Sequence, residues 1–168
     1  MSKDMSREEA VQKVAELIGG IKFCMLVTQT GEGRLHSRPV TTQDQEFDGD
    51  LWFIGGKDTE WVHDISQRPE VNLAYAQPDG QNYVSVTGRA RLVEDRAKLE
   101  EIWSDFYKVY FPEGIDDPNV QLIHVDAHGA ELWESSGKLA SVFALAKGLV
   151  SGDRSGSDQS NNQTVSLE

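Results

Sequence analysis

Short strand-like runs, each closed off by Gly, Pro or Asp, follow one another along most of this chain. That spacing confines it to an antiparallel β architecture. Tyr83–Leu92 (YVSVTGRARL) sets the pattern. Apolar and polar residues alternate cleanly, and Gly88 inside the run marks a bulge or a close backbone approach. Lys22–Thr28 (KFCMLVT) is almost wholly apolar, and Val71–Ala76 (VNLAYA) alternates again. Val120–Val125 and Ala130–Glu134 read as the last two strands, joined around His128-Gly129. With few and short helices between them, these runs predict a closed or nearly closed antiparallel barrel.

Leu35–Gly56 reads as a hairpin. Its turn is Phe47-Asp48-Gly49-Asp50, where Asp-Gly supplies the positive φ of a tight turn. The first three strands are then expected to form an antiparallel meander. Leu35–Gln43 (LHSRPVTTQ) is unusually polar for a strand. Pro39 cannot donate to a central ladder, which places it at an edge, a strand start or a bulge. A polar strand with accessible backbone beside the hydrophobic Asp50–Gly55 (DLWFIG) makes a wall suited to a flat polar ligand, although these residues alone favour a solvated hairpin.

Ser6-Arg7-Glu8-Glu9 matches a capping box, and Ala10, Val11, Val14, Leu17 and Ile18 follow at helical spacing up to Gly19-Gly20. Asp58 is placed to cap a short helix over Thr59–Gln67, which Pro69 stops; Asp95 is placed to cap another. Ser141–Val150 (SVFALAKGLV) reads as a closing helix or strand. From Ser151 the chain is polar and of low complexity. Residues 1–150 are therefore expected to form one domain, and residues 151–168 a polar C-terminal tail, with Leu167-Glu168 set aside from the fold.

The charge balance narrows the function. Sixteen Lys and Arg against 28 Asp and Glu give a net charge of −12, which disfavours nucleic acid and anionic membrane surfaces. The single cysteine, Cys24, precludes an internal disulfide and reads as a buried small hydrophobe. Neither an apolar leader nor a spanning segment is evident, so a cytoplasmic location is expected. His124 and His128 run along a strand, more than about ten ångströms apart, and no metal site is expected. His36 and His63 read as polar surface. No nucleotide-binding glycine fingerprint, phosphate loop or nucleophile elbow is present. Gly55-Gly56-Lys57 does precede a helix start, where backbone N–H groups favour an anion.

The order of these pieces resembles the pyridoxamine 5′-phosphate oxidase-like FMN-binding split barrels, in their bacterial general stress protein branch. The segments that carry the resemblance are FCMLVT, LHSRPVTTQ, FDGDLWF, VNLAY, YVSVTGRARL, WSDFYKVYFPEGIDD (Trp103–Asp117), and Glu131–Trp133 with Gly137-Lys138-Leu139. The resemblance implies a mainly β fold, a six-stranded antiparallel split β-barrel, forming a homodimer with two flavin sites at its interface. It implies FMN, with FAD as the variant, and a flavin-dependent oxidoreductase or a non-enzymatic flavin-binding protein of the stress response. A small redox substrate is implied in the first case. The same scaffold also carries deazaflavin or haem; haem wants an axial His, and none of the four falls in the implied site. Arg38, Val40, Thr41, Thr42 and Gln43 would line the flavin from one strand, and Phe53, Ile54 and Gly55 from the facing one. Lys57, Thr59 and Arg38 would hold the phosphate. Tyr83 would approach the flavin, as would Trp133 from the other subunit. Relatives commonly place a basic residue two positions after the helix-start Thr; here that position is Trp61, preceded by Glu60.

Overall fold

The alternation of the strands turns one face of a single curved sheet inward. A computed structural model describes residues 5–134 and 161–168. The strands are β1 (Phe23–Gln29), β2 (Leu35–Thr41), β3 (Asp50–Gly56), β4 (Glu70–Gln77), β5 (Asn82–Val93), β6 (Val120–Glu134) and β7 (Asn161–Ser166). All pair antiparallel, in the order β2-β1-β4-β5-β6-β3, and β7 also pairs with β6. The end strands β2 and β3 do not pair with each other, so the barrel is split. Leu26, Leu73, Val86, Phe53, Ile123 and Val125 fill its interior almost without exposure. Burying each such side chain contributes about 1.5–3 kcal/mol.

Helix α1 (Arg7–Ile18) begins on the predicted capping box. Ser6 Oγ accepts from Glu9 N at 3.2 Å, and Glu9 Oε2 accepts from Ser6 N at 2.9 Å. Its buried face is Ala10, Val14, Leu17 and Ile18. Helix α3 (Arg96–Ile102) is capped by Asp95, as its sequence indicates.

Three expectations are corrected. The meander does not form, because β1 lies between β2 and β4, and β3 pairs with β6. An Asp-Gly hairpin needs a two-residue loop, whereas residues 42–49 connect β2 to β3. Gly49 does turn, at φ 112°, but its carbonyl accepts from Ala127 N of β6, and buried Phe47 anchors the connection in the core. The chain is thereby delivered across the barrel rather than folded back.

Val120–Val125 and Ala130–Glu134 are one strand, not two. Thr87 faces Gly129 while Gly88 faces Ala127, so His128 is an extra residue in β6 and His128-Gly129 is a bulge. Gly88 is needed there, because a Cβ would stand 2.7 Å from the Asp126 carbonyl oxygen. The length of β6 lets β3 pair with its first half and β7 with its second, along the same edge.

The segment read as a polar tail ends in β7, a seventh strand beside the expected six. Its alternation is sparse, but Val165 and Leu167 are both buried, and Arg7 Nε donates to the Leu167 carbonyl at 2.9 Å. Ser141–Val150 and Gly137-Lys138-Leu139 lie outside the described residues. No described helix is long and apolar enough to cross a membrane.

Candidate functional site

Helix α2 (Glu60–Gln67) starts at a turn that leaves its amino end open. The N-cap is Thr59, not Asp58 as the sequence indicates. Asp58 is engaged elsewhere: its Oδ1 accepts from Asn119 Nδ2 at 2.8 Å, and its N–H donates to Asn119 Oδ1 at 3.0 Å. Thr59 Oγ1 donates to the Gly56 carbonyl at 2.7 Å and caps nothing. Among the described residues, the N–H groups of the first turn therefore have no side-chain acceptor, which is what an anion needs.

This helix start opens on a groove of about 990 Å3 between α2, the β1–β2 turn and the beginning of β2. Lys57 and Thr59 line it together with Arg34, His36, His63 and Arg68. Arg38 follows His36 on the same face of β2. Its Nη1 donates to Thr28 Oγ1 at 2.9 Å, and its guanidinium carbon stands 5.5 Å from the Trp61 ring centroid. Burial lowers the pKa of this guanidinium, and the charge of Asp64 opposes the shift. Trp61, the departure at the expected basic position, thus forms the surface on which Arg38 rests. Cationic charge comes instead from Arg34 in the β1–β2 turn and Arg68 at the carboxyl end of α2, which both line the groove. Its cations already face carboxylates: Arg34–Glu32 at 3.3 Å, Lys57–Glu94 at 3.8 Å and Arg68–Asp64 at 3.9 Å. The first two are exposed, and exposed pairs are worth about 0–1 kcal/mol and yield readily to a better anion.

The remaining candidates scatter more. Val40 and Phe53 are buried in the barrel, so they support the walls from within. Gly55 is crowded by Trp61, and Ile54 packs on the second apolar cluster of Tyr107, Phe111 and Val120. Thr41 ends β2 opposite Phe23. Thr42 N donates to the Lys22 carbonyl at 3.0 Å, its hydroxyl bonds Ile21 O, and Gln43 Nε2 donates to Tyr107 Oη at 2.9 Å. Tyr83 and Trp133 face each other across β5 and β6. Gly55, however, faces Gln121 at the other end of β6. At about 3.3 Å per residue, up to about 40 Å of strand separates the two ends. One chain alone does not bring Tyr83 and Trp133 to Lys57.

Sequence reasoning missed four groove residues. His36 and His63, read as plain surface, both line it. The signal was available: His36 shares its strand face with Arg38, and His63 lies one helical turn from Thr59. Arg34 and Arg68 reach the groove from a turn and a helix end, and nothing in their spacing marks them.

The family described as pyridoxamine 5′-phosphate oxidase like matches residues 9–156. General stress protein 26 of Bacillus subtilis is 26% identical over 137 residues, covering 80% of this chain and 95% of that protein. Among solved structures, a putative general stress protein 26 from Jannaschia sp. CCS1 superposes with a TM-score of 0.71 at 23% identity, covering 95% of this chain and 99% of that one. The general stress FMN/FAD binding protein of Xanthomonas citri superposes with a TM-score of 0.67 at 24% identity, covering 78% and 92%. This chain belongs to the pyridoxamine 5′-phosphate oxidase-like family.

Proposed function

We propose that the protein binds FMN in the groove at the start of α2 and acts as a flavin-dependent oxidoreductase of the general stress protein type. The observation that carries this reading is the uncapped amino end of α2 facing a groove lined by Lys57 and Thr59, with Arg38 on the adjoining strand. Bidentate guanidinium contact, a lysine charge and free N–H groups together suit a terminal phosphate. A monoester phosphate needs no more than this set; Arg34 and Arg68, which also line the groove, would meet the second phosphate of FAD.

The bound flavin would supply electron and hydride transfer. The chain's own part is to bind and orient. Arg38, Lys57 and Thr59 hold the phosphate end. The end of β2, from Val40 to Gln43, offers backbone and amide groups along the flavin, and the buried Val40 and Phe53 keep water from the barrel side. In this reading the protein is a homodimer, and Trp133 of a second copy closes a site that one chain leaves open. Tyr83, its cross-strand neighbour, belongs to the same end of the sheet.

Titrating flavin-free protein with FMN tests the reading, with flavin fluorescence and Trp quenching as signals. Saturation at one FMN per chain, weakened at least about tenfold by Arg38→Ala, supports it. No saturation overturns it. The cations of the groove are already paired with carboxylates, which favours a second reading: a protein that holds and releases flavin without turning it over. Steady-state oxidation of a reduced nicotinamide by the flavin-loaded protein separates the two.

A further inference from the structure

Between α3 and β6 the chain winds one short 3-10 helix, Asp105–Val109. Side chains three apart eclipse in such a helix, so each of its faces collects one kind of residue. Asp105 and Lys108 share the first face and neutralise each other, with Nζ 2.8 Å from Oδ1. Tyr107 takes the second and is buried with Phe111 and Val120. Phe106 and Val109 share the third, and they are 49% and 77% exposed. Tyr110, the next residue, is 64% exposed. Its ring stands edge-on to that of Phe106, with 6.0 Å between centroids and 66° between planes. Three large apolar side chains therefore face solvent side by side, while Phe111 in the same stretch is buried.

This platform is fastened to the flavin wall proposed above. Tyr107 beneath it accepts from Gln43 Nε2 at 2.9 Å, and the cluster to which Tyr107 belongs packs against Ile54. Gln43 and Ile54 are both assigned to the flavin, one just past the end of β2 and the other on β3. Area and charge then decide what covers the platform. An aromatic side chain offers about 150–250 Å2, so two half-exposed rings and a valine leave on the order of 300 Å2 open. A stable protein interface takes about 800 Å2 from each partner, whereas a molecule of one or two rings is matched by the smaller patch. The chain carries a net charge of −12, and the ammonium of Lys108 is already held by Asp105. An anionic ligand would meet an unfavourable field there with no compensating partner on the platform.

We propose that Phe106, Val109 and Tyr110 dock the substrate of the flavin site, and that this substrate is a flat aromatic molecule without an anionic group. The inference rests on the flavin reading above and adds the substrate class to it. Phe106 and Tyr110 supply ring faces and edges for offset or edge-on stacking, and Val109 extends the apolar surface beside them. Tyr107 holds the platform in register with Gln43 and Ile54, so the docked ring lies next to the flavin.

The test titrates the full-length protein by calorimetry, flavin-free and FMN-loaded, with 2-naphthol and with 2-naphthalenesulfonate. The two probes share a two-ring body and differ in charge at neutral pH. Saturable binding of naphthol is expected, with the sulfonate at least about tenfold weaker. Phe106→Ser with Tyr110→Ser should weaken naphthol at least about fivefold while leaving the Kd for FMN within about twofold. Tyr110→Ser alone, outside the helix, should give part of the same loss without reaching the core. Naphthol at saturation should also shift the visible absorbance of bound FMN. Absence of saturation up to about 3 mM overturns the proposal, as does equal binding of the sulfonate or an affinity unchanged in both variants. So does binding that leaves the flavin spectrum untouched, or a double variant that sediments as a smaller species, since the patch would then be covered by a second copy. A flavin-free protein that binds naphthol through Phe106 and Tyr110 but takes no FMN overturns the flavin reading and leaves the aromatic docking site standing.

Discussion

Arg38 of β2 lies over the indole of Trp61 on α2, 5.5 Å from guanidinium carbon to ring centroid. The contact ties the polar edge strand to the helix whose start lines the groove. A guanidinium over an indole face gains about 0.5–2 kcal/mol and, more usefully here, is fixed in direction. Trp61→Ala should therefore raise the Kd for FMN several-fold although the indole carries no charge to meet a phosphate. Arg38→Lys should recover only part of what Arg38→Ala loses, because an ammonium is not bidentate. Fluorescence titration of the three variants gives the ranking, and a Trp61→Ala protein that binds FMN as wild type would refute the positioning role.

Gly55 shows the same contact from below. A Cβ there would stand 2.6 Å from Trp61 Cη2 and 2.9 Å from Val62 Cγ2. Gly55→Ala should cost about 1–3 kcal/mol, the usual range for overpacking, seen as a lower urea midpoint. Adding Trp61→Ala should restore part of that loss by vacating the space, so the double variant should be more stable than the sum of the two single effects predicts.

Much of this arrangement was legible in the sequence, for physical reasons that differ by element. The capping box of α1 and the cap at Asp95 are local rules, decided within a few residues. The pairing of β3 with β6 is not local. Asp-Gly marks a turn, but nothing in Leu35–Gly56 says that the chain will cross the barrel after it. Likewise Asp58 is a fitting cap by type, and it is Asn119, 61 residues away, that claims its carboxylate. Lys57 and Thr59, which the resemblance implies for a phosphate, line the groove, whereas Arg34 and Arg68 enter only through the three-dimensional approach of a turn and a helix end.

The buried thiol of Cys24 gives a pH dependence of known sign. Burial pushes its pKa from 9.0 up to about 12, and the neighbouring Tyr75 hydroxyl offsets this only in part. The folded state thus favours the protonated thiol. Its contribution to stability is fully present below pH 9 and is lost as pH rises from there toward 12. Within that window each pH unit removes up to about 1.4 kcal/mol. Urea unfolding between pH 8 and 11 should show a decline, approximately, that is smaller in Cys24→Ala than in wild type. At pH 8 the native thiol should resist a thiol-specific reagent and react only after unfolding.

The end of the chain provides the last test, because a residue set aside on sequence grounds is among the most deeply buried. Leu167 is 2% exposed, its carbonyl takes the Arg7 side chain at 2.9 Å, and its N–H donates to the His128 carbonyl at 3.2 Å. It therefore fastens β7 to α1 and to the β6 bulge at once. Leu167→Ala should cost about 2–5 kcal/mol, as for other large-to-small changes at buried positions. Removing residues 161–168 should cost more, since it also strips the ladder partners from Gly129–Glu134. That half of β6 carries Trp133, so the truncation should also loosen the end of the sheet that faces a second copy in the proposed dimer. Urea midpoints for both variants, read beside sedimentation of the truncated chain, decide the matter. If Leu167→Ala unfolds at the wild-type midpoint, β7 is not part of the stable fold.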